Sequence, residues 1–174
     1  NADVCWKPLT DRIVELRIND RVIEVTLPTL GKHFMENAAA ACAMAIAARI
    51  DLKKIISGLS SAVIEPGRMT PLRFPGQMVV DDTYNASPQA VRSAIDWLSI
   101  QEGKTSLIMG GLSDLGDVAT NEMLSLGQYA KASGIKQLIG IEAAGPICEG
   151  YGSTAYYFRT FSELEVCLDE LLAP

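Results

Sequence analysis

The sequence predicts an α/β chain: alternating strands and helices around a parallel sheet, preceded by a shorter segment of strands and helices. Three observations carry this. From residue 70 onward, short β-branched runs alternate with stretches of helical period, as in "MVVDD", "SPQAVRSAIDWLSI", "KTSLIMG", "NEMLSLGQYAKASG" and "KQLIGI", the pattern of successive βαβ units. Before that, "RIVELRINDRVIEVTL" (12–27) alternates apolar and polar residues on both sides of Asn19–Asp20, which predicts a β-hairpin. Between the two, "EPGRM" (65–69) carries the breaker Pro66–Gly67 and reads as a linker. The expected division is therefore 1–65 and 66–174.

Taken in order, the hairpin is followed by "TLGKHFMENAAAACAMAIAARI", whose Ala-rich run without internal Gly or Pro after position 31 favours a helix. Asp51 stands where it can cap a second helix, "DLKKIISGLSSAV", with Leu52, Ile55, Ile56 and Leu59 at helical spacing. Residues 1–63 thus read as two strands and two helices. "MTPLRF", "PGQ" and "MVVDD" predict a short second hairpin. Pro88 opens a helix at its first turn, "KTSLIMG" reads as a buried strand, and Gly134 closes the next helix. "KQLIGI" is a further strand, "STAYYF" an edge strand, and "SELEVCLDELL" a last helix with Ser162 and Glu165 as a capping box. This alternation describes a Rossmann-like domain.

Composition narrows the function classes. The chain has 174 residues, 48% of them hydrophobic, and a formal net charge of −6; with a pI near 4.8 it lacks the basic excess expected of a nucleic-acid binder. Cys5, Cys42, Cys148 and Cys167 form no CxxC pair and read as reduced thiols, as in a cytoplasmic protein. The longest apolar run, Ala38–Ala48, is too short for the ~20 residues of a membrane span. No signal peptide is visible, and the first residue is Asn, so the chain is expected to begin partway through a longer protein.

In an open α/β sheet, ligands gather at the carboxyl ends of the strands. Two loops fall there. "DDTYNASP" (81–88) ends an expected buried strand in paired carboxylates, which need a metal, an arginine, ribose hydroxyls or backbone N–H groups opposite them, unless one caps the loop and the other is solvated. "MGGLSDLGD" (109–117) carries Gly110–Gly111, which let backbone approach a ligand, although a plain flexible turn has the same composition. His33, the only histidine, stands at a helix start, among free N–H groups suited to anions. "LGKH" does not complete a phosphate loop: Thr26 and His33 stand where that loop needs Gly and Ser or Thr. Arg68 follows the linker breaker, where a guanidinium is either solvated or clamps phosphate.

In order and spacing, "LPTLGKHFMENAAAACAMA", "EPGRM", "VVDDTYNASP" and "MGGLSDLG" resemble the Mur ligases, and most specifically the MurF type, with its G-x-H-N-x-x-N-A-x-A-A, P-G-R, D-D-S-Y-N-A-N-P and G-D-M-x-E-L-G stretches. The resemblance covers roughly residues 27–141. It implies an ATP-dependent ligase with a central ATP-binding domain, ending here at residue 65, and a C-terminal Rossmann-like domain, 66–174. Such a ligase joins D-alanyl-D-alanine to UDP-N-acetylmuramoyl-tripeptide through an acyl phosphate, with ATP and Mg²⁺, in peptidoglycan precursor synthesis.

Residue by residue, the resemblance implies that Asn37 meets adenine and that Arg68 reaches the nucleotide phosphates. Asp82 would accept ribose hydroxyls, and His33 would lie near the phosphates and metal. Tyr84 and Asn85 would face the phosphates and dipeptide, with Ser87, Gly110 and Gly111 on the substrate side. Asp81 is assigned to the loop itself. The sequence also departs from the family pattern: Phe34 replaces an Asn, Gly111 an Asp, and Ser87 a frequent Asn. The family's phosphate loop, its carbamylated lysine and its last strand and helix have no counterpart in these residues. Activity is therefore not expected from this chain alone.

Three other readings use the same residues. Another Mur-type amino acid ligase is one, although the D-N-P-R of the diaminopimelate-adding type is absent. A receiver domain also opens on "VVDD", but "NEMLSLG" (121–127) lacks the later phosphoacceptor Asp. A non-catalytic Rossmann-like binding module fits the Phe34 and Gly111 departures.

Overall fold

The computed structural model describes residues 4–173, which form two compact units divided between Asn85 and Ala86. In the first unit, strands β1 (Val4–Pro8), β2 (Ile13–Ile18) and β3 (Arg21–Thr26) form an antiparallel sheet in that order. Val14, Leu16 and Ile18 of β2 and Val25 of β3 are buried, while Glu15 on the opposite face pairs with Lys7 at 3.0 Å. The period-2 alternation thus sets the register, with Val14 opposite Val25 and Leu16 opposite Ile23. Asn19, at φ 51, makes the expected two-residue turn. The sequence reading of two strands in this segment is corrected to three, because the short β1 adds to the free edge of β2.

Helix α1 (Lys32–Ala47) and helix α2 (Leu52–Ser60) pack on the apolar face of that sheet through Met35, Ala38, Ala39, Cys42 and Ile55. Small residues dominate this face of α1, so the helix lies close against the sheet. Asp51 caps α2 as expected, accepting the Lys53 N–H at 2.9 Å. A second hairpin, β4 (Thr70–Phe74) and β5 (Gln77–Asp81), turns at Pro75–Gly76. The expectation that Val79–Val80 form the interior of a buried strand is not met. Strand β5 pairs with β4 alone, and Val79 is 40% exposed.

The second unit holds helices α3 (Pro88–Ser99), α4 (Ala119–Ala132), α5 (Gly145–Tyr151) and α6 (Phe161–Leu172). Its strands β6 (Ser106–Met109), β7 (Gln137–Ile141) and β8 (Tyr156–Phe158) form a parallel sheet in sequential order. This is the expected α/β alternation. The central strand β7 sends Leu138 into a core built with α3, α4 and α5, and its neighbour Ile139 into a second core against α6, so helices cover both faces. The apolar run "KTSLIMG" proves to be an edge rather than a buried strand, with Ile108 42% exposed.

Two glycines set the α4–α5 contact. A Cβ at Gly127 would collide with the carbonyl oxygen of Ile147, and one at Gly150 with that of Leu124, so the two backbones approach as only glycine permits. The cap of α6 is Thr160 rather than Ser162: its hydroxyl accepts the Glu163 N–H at 3.2 Å, and the Glu163 carboxylate accepts the Arg159 N–H at 2.7 Å. The Lys104 ammonium donates to the carbonyls of Leu171 and Ala173 at 3.1 and 2.8 Å, a favourable charge at the negative end of α6. All four cysteines are free thiols. Among the described residues no helix is long and apolar enough to cross a membrane.

Candidate functional site

Helix α1 begins at Gly31, whose φ of 102° suits glycine and which offers no side-chain cap. A Cβ at this position would stand 3.0 Å from the His33 imidazole and 3.7 Å from the Met69 methyl, so the helix start is packed under both side chains. His33 is half-buried in the first turn of α1. Its Nδ1 is buried without a hydrogen-bond partner, and the Phe34 ring lies against it at a centroid distance of 4.3 Å. Burial pushes the His33 pKa below its ordinary 6.5, while the negative charges of Asp82 and Glu36 act in the opposite direction. Neutral imidazole is thus the form favoured near pH 7. Asn37 follows four residues later, on the same helical side as His33, and is exposed.

The segment Gly67–Met69 faces this helix start, held by backbone contacts rather than by its own side chains. The Tyr84 N–H donates to the Gly67 carbonyl at 3.0 Å, and the Met69 N–H donates to Asp82 Oδ1 at 3.0 Å. The Thr29 hydroxyl reaches the carbonyl oxygens of Arg68 and Met69 at 3.0 and 3.2 Å. Gly67 sits at φ 77 with the Tyr84 nitrogen 2.9 Å from where a Cβ would stand. Met69 is 1% exposed and left-handed at φ 47, a conformation that costs a non-glycine residue about 1 kcal/mol or more. From this clamped backbone the Arg68 guanidinium extends over the Tyr84 ring, 4.1 Å from its centre.

The two adjacent carboxylates that end β5 have different partners. Asp81 Oδ1 accepts both the backbone N–H and the hydroxyl of Thr83, at 3.1 and 2.7 Å, an Asx-type turn that makes it a loop-forming residue. Asp82 turns toward Met69, its charge close enough to His33 to influence the imidazole. His33, Arg68, Asp82 and Tyr84 therefore converge. Asn37 lies a turn away on α1, and Asn85 is exposed at the end of the same unit.

The other substrate-side candidates lie in the second unit. The Ser87 hydroxyl caps α3, accepting the Ala90 N–H at 3.2 Å, which occupies it structurally. Gly110 has open space where a Cβ would stand, whereas a Cβ at Gly111 would collide with the Ala143 side chain. Gly111 is thus required by packing against the turn after β7, which accounts for the absence of a carboxylate there. Phe34 likewise has a packing role, joining the core of the first unit.

The chemistry of this cluster suits an anionic, hydroxyl-bearing ligand. It combines a guanidinium fork, a carboxylate acceptor and an imidazole nitrogen at the positive, N-terminal end of a helix that has no side-chain cap. It does not suit Mg²⁺. Among the described residues no group of three or more His, Cys, Asp or Glu side chains could hold a metal ion, and Mg²⁺ takes oxygen ligands, which the His33 imidazole does not supply. Sequence reasoning missed Thr29 and Met69, whose roles rest on contacts 39 and 40 residues distant in sequence and leave no local signal.

No protein-family model matches the chain. Over 120 residues it is 31% identical to the UDP-N-acetylmuramoyl-tripeptide–D-alanyl-D-alanine ligase of Escherichia coli (strain K12), covering 68% of this chain and 26% of that ligase. The chain thus spans about a quarter of the length of that relative. In structure it matches a crystal structure of MurF from Acinetobacter baumannii with a TM-score of 0.86 and 28% identity, over 99% of this chain and 40% of that one. The MurF ligase of Thermotoga maritima in complex with ADP has the same fold, with a TM-score of 0.76 at 22% identity, over 100% of this chain and 41% of that one. Sequence and fold together place this chain among the homologues of the MurF-type Mur ligases, matching part of their length.

Proposed function

We propose that the chain forms the nucleotide-facing part of an ATP-dependent amide ligase that adds D-alanyl-D-alanine to UDP-N-acetylmuramoyl-tripeptide. ATP would supply the phosphoryl group that activates the substrate carboxylate. The chain's own residues bind and orient. Arg68 offers its fork to phosphate oxygens, Asp82 accepts from ribose hydroxyls, Asn37 pairs with an adenine edge, and His33 sits beside the phosphates at the start of α1. Tyr84 stacks Arg68 in place and, with Asn85, faces the incoming dipeptide; Ser87, Gly110 and Gly111 belong to the dipeptide side. In this reading, residues 1–65 close the central ATPase domain and 66–174 form the C-terminal Rossmann-like domain. Peptidoglycan precursor synthesis in the cytoplasm is the setting.

The observation that carries the reading is the clamp on Gly67–Met69, which aims Arg68 from a backbone bonded to Asp82 and Tyr84. The sequence has no phosphate loop, and its described residues have no acidic cluster for Mg²⁺. The 174-residue chain alone is therefore expected to release no phosphate from ATP. The full-length polypeptide in which this sequence occurs should release phosphate only when both the dipeptide and the UDP-linked tripeptide are present. Release independent of D-alanyl-D-alanine would point to another Mur-type ligase. No release at all would favour the second reading, a non-catalytic binding module, which draws on the packing of Gly111 against Ala143.

A further inference from the structure

We infer that Thr29 is a positioning residue, fixing Arg68 and Asp82 relative to His33 at the start of α1. The inference rests on the reading that these side chains meet a nucleotide. Three hydrogen-bonded ties hold the Gly67–Met69 backbone. Two of them come from the loop that follows β5: Tyr84 N–H to the Gly67 carbonyl, and Asp82 Oδ1 to the Met69 N–H. They fix Arg68 to Asp82 and Tyr84 but say nothing of where His33 and Asn37 lie. The third comes from Thr29, in the loop that leads from β3 into α1, through 3.0 and 3.2 Å contacts to the carbonyls of Arg68 and Met69.

Thr29 is 3% exposed, so its hydroxyl is shielded from solvent and finds its partners in those carbonyls. Only three residues separate Thr29 from His33, and Gly31 among them is packed against both the His33 ring and the Met69 methyl. The hydroxyl therefore joins the two halves of the cluster: the α1 start on one side, the arginine and aspartate on the other. Met69, left-handed and without the freedom of glycine, has a local preference for other conformations, so the tie also opposes its relaxation.

The test is Thr29→Val, which keeps the shape and removes the hydroxyl, against Thr29→Ser, which keeps the hydroxyl. The probes are ADP titration of the 174-residue chain, followed by NMR, and the titration midpoint of His33, the only histidine. Loss of one such bond should weaken ADP binding about fivefold in Thr29→Val, with Thr29→Ser close to wild type. Burial is the larger influence on His33, so loosening its surroundings should move its midpoint up toward 6.5 in Thr29→Val only. A folded Thr29→Val with wild-type ADP affinity and wild-type His33 midpoint overturns the inference. If wild type itself does not bind ADP, the nucleotide reading fails, and the His33 midpoint still decides the positioning role. The wild-type chain offers a check without a variant: the Thr29 hydroxyl proton should exchange slowly enough to be seen, and rapid exchange with water would show the tie is not made.

Discussion

The Arg68 guanidinium lies over the Tyr84 ring, 4.1 Å from its centre, while the backbones of the two segments are joined by the Tyr84 N–H to the Gly67 carbonyl at 3.0 Å. The stack by itself is worth about 0.5–1 kcal/mol at an exposed position. Its consequence is geometric: it holds a flexible, always-charged side chain in one direction, so that less ordering is left to be done when an anion arrives.

The Gly67 turn is the part of this arrangement least tolerant of change. Gly67→Ala adds a Cβ at φ 77 and 2.9 Å from the Tyr84 nitrogen. It should lower unfolding stability by about 1–3 kcal/mol, measured by urea denaturation. Gly58→Ala is the control: this glycine lies inside α2 with nothing within 4 Å of its Cβ position, so the same substitution should be neutral or slightly stabilising.

Asp82 plays two roles that one substitution separates. Asp82→Asn keeps an oxygen to accept the Met69 N–H but removes the charge that raises the His33 pKa. The His33 midpoint, read by NMR, should fall below its wild-type value with little change in stability. Asp82→Ala removes the acceptor as well and should cost a further 1–3 kcal/mol or so. An unchanged midpoint in Asp82→Asn would mean the carboxylate does not act on the imidazole.

A histidine held below its ordinary 6.5 binds its proton more readily in the unfolded chain. Its contribution to stability is therefore fully present above pH 6.5 and is lost as pH falls through 6.5 toward the folded-state value. Comparing urea midpoints of wild type and His33→Gln across this range should show a pH-dependent difference, with wild type losing more on acidification. Parallel curves would contradict the assigned burial of the imidazole.

Gly111→Asp, which restores the residue common in the resembling family, should be destabilising here by about 1–3 kcal/mol, because its Cβ collides with Ala143. The double variant with Ala143→Gly should recover most of the loss. Failure of that rescue, seen as additive losses in thermal unfolding, would place the strain elsewhere.

Much of this fold is legible in the sequence where local signals agree. The 13–26 hairpin has largely alternating apolar and polar residues and a turn dipeptide, α2 has its Asp51 cap, and α3 has Ser87 and Pro88 at its start. What is not legible depends on partners distant in sequence. The apolar character of Val79 and Ile108 suggests burial, yet exposure is set by which strands lie alongside, and both strands have a single paired neighbour. Helix α5 opens on Gly145–Pro146 and contains Gly150, so its composition reads as loop; Gly150 is there because Leu124 of α4 leaves no room for a side chain. Both Thr160–Glu163 and Ser162–Glu165 fit the capping-box spacing, and the difference lies in the extended backbone of Thr160. At the candidate site the motif residues are visible in the sequence. The Thr29 tie and left-handed Met69 that arrange them are not, since neither has a periodic or compositional signature.

The most direct measurement is titration of the isotope-labelled 174-residue chain with ADP, resolved residue by residue. The proposed site requires saturable shifts at His33, Asn37, Arg68 and Asp82, weakened by Arg68→Ala. Shifts confined to other residues, or none up to the highest soluble ADP concentration, would contradict it.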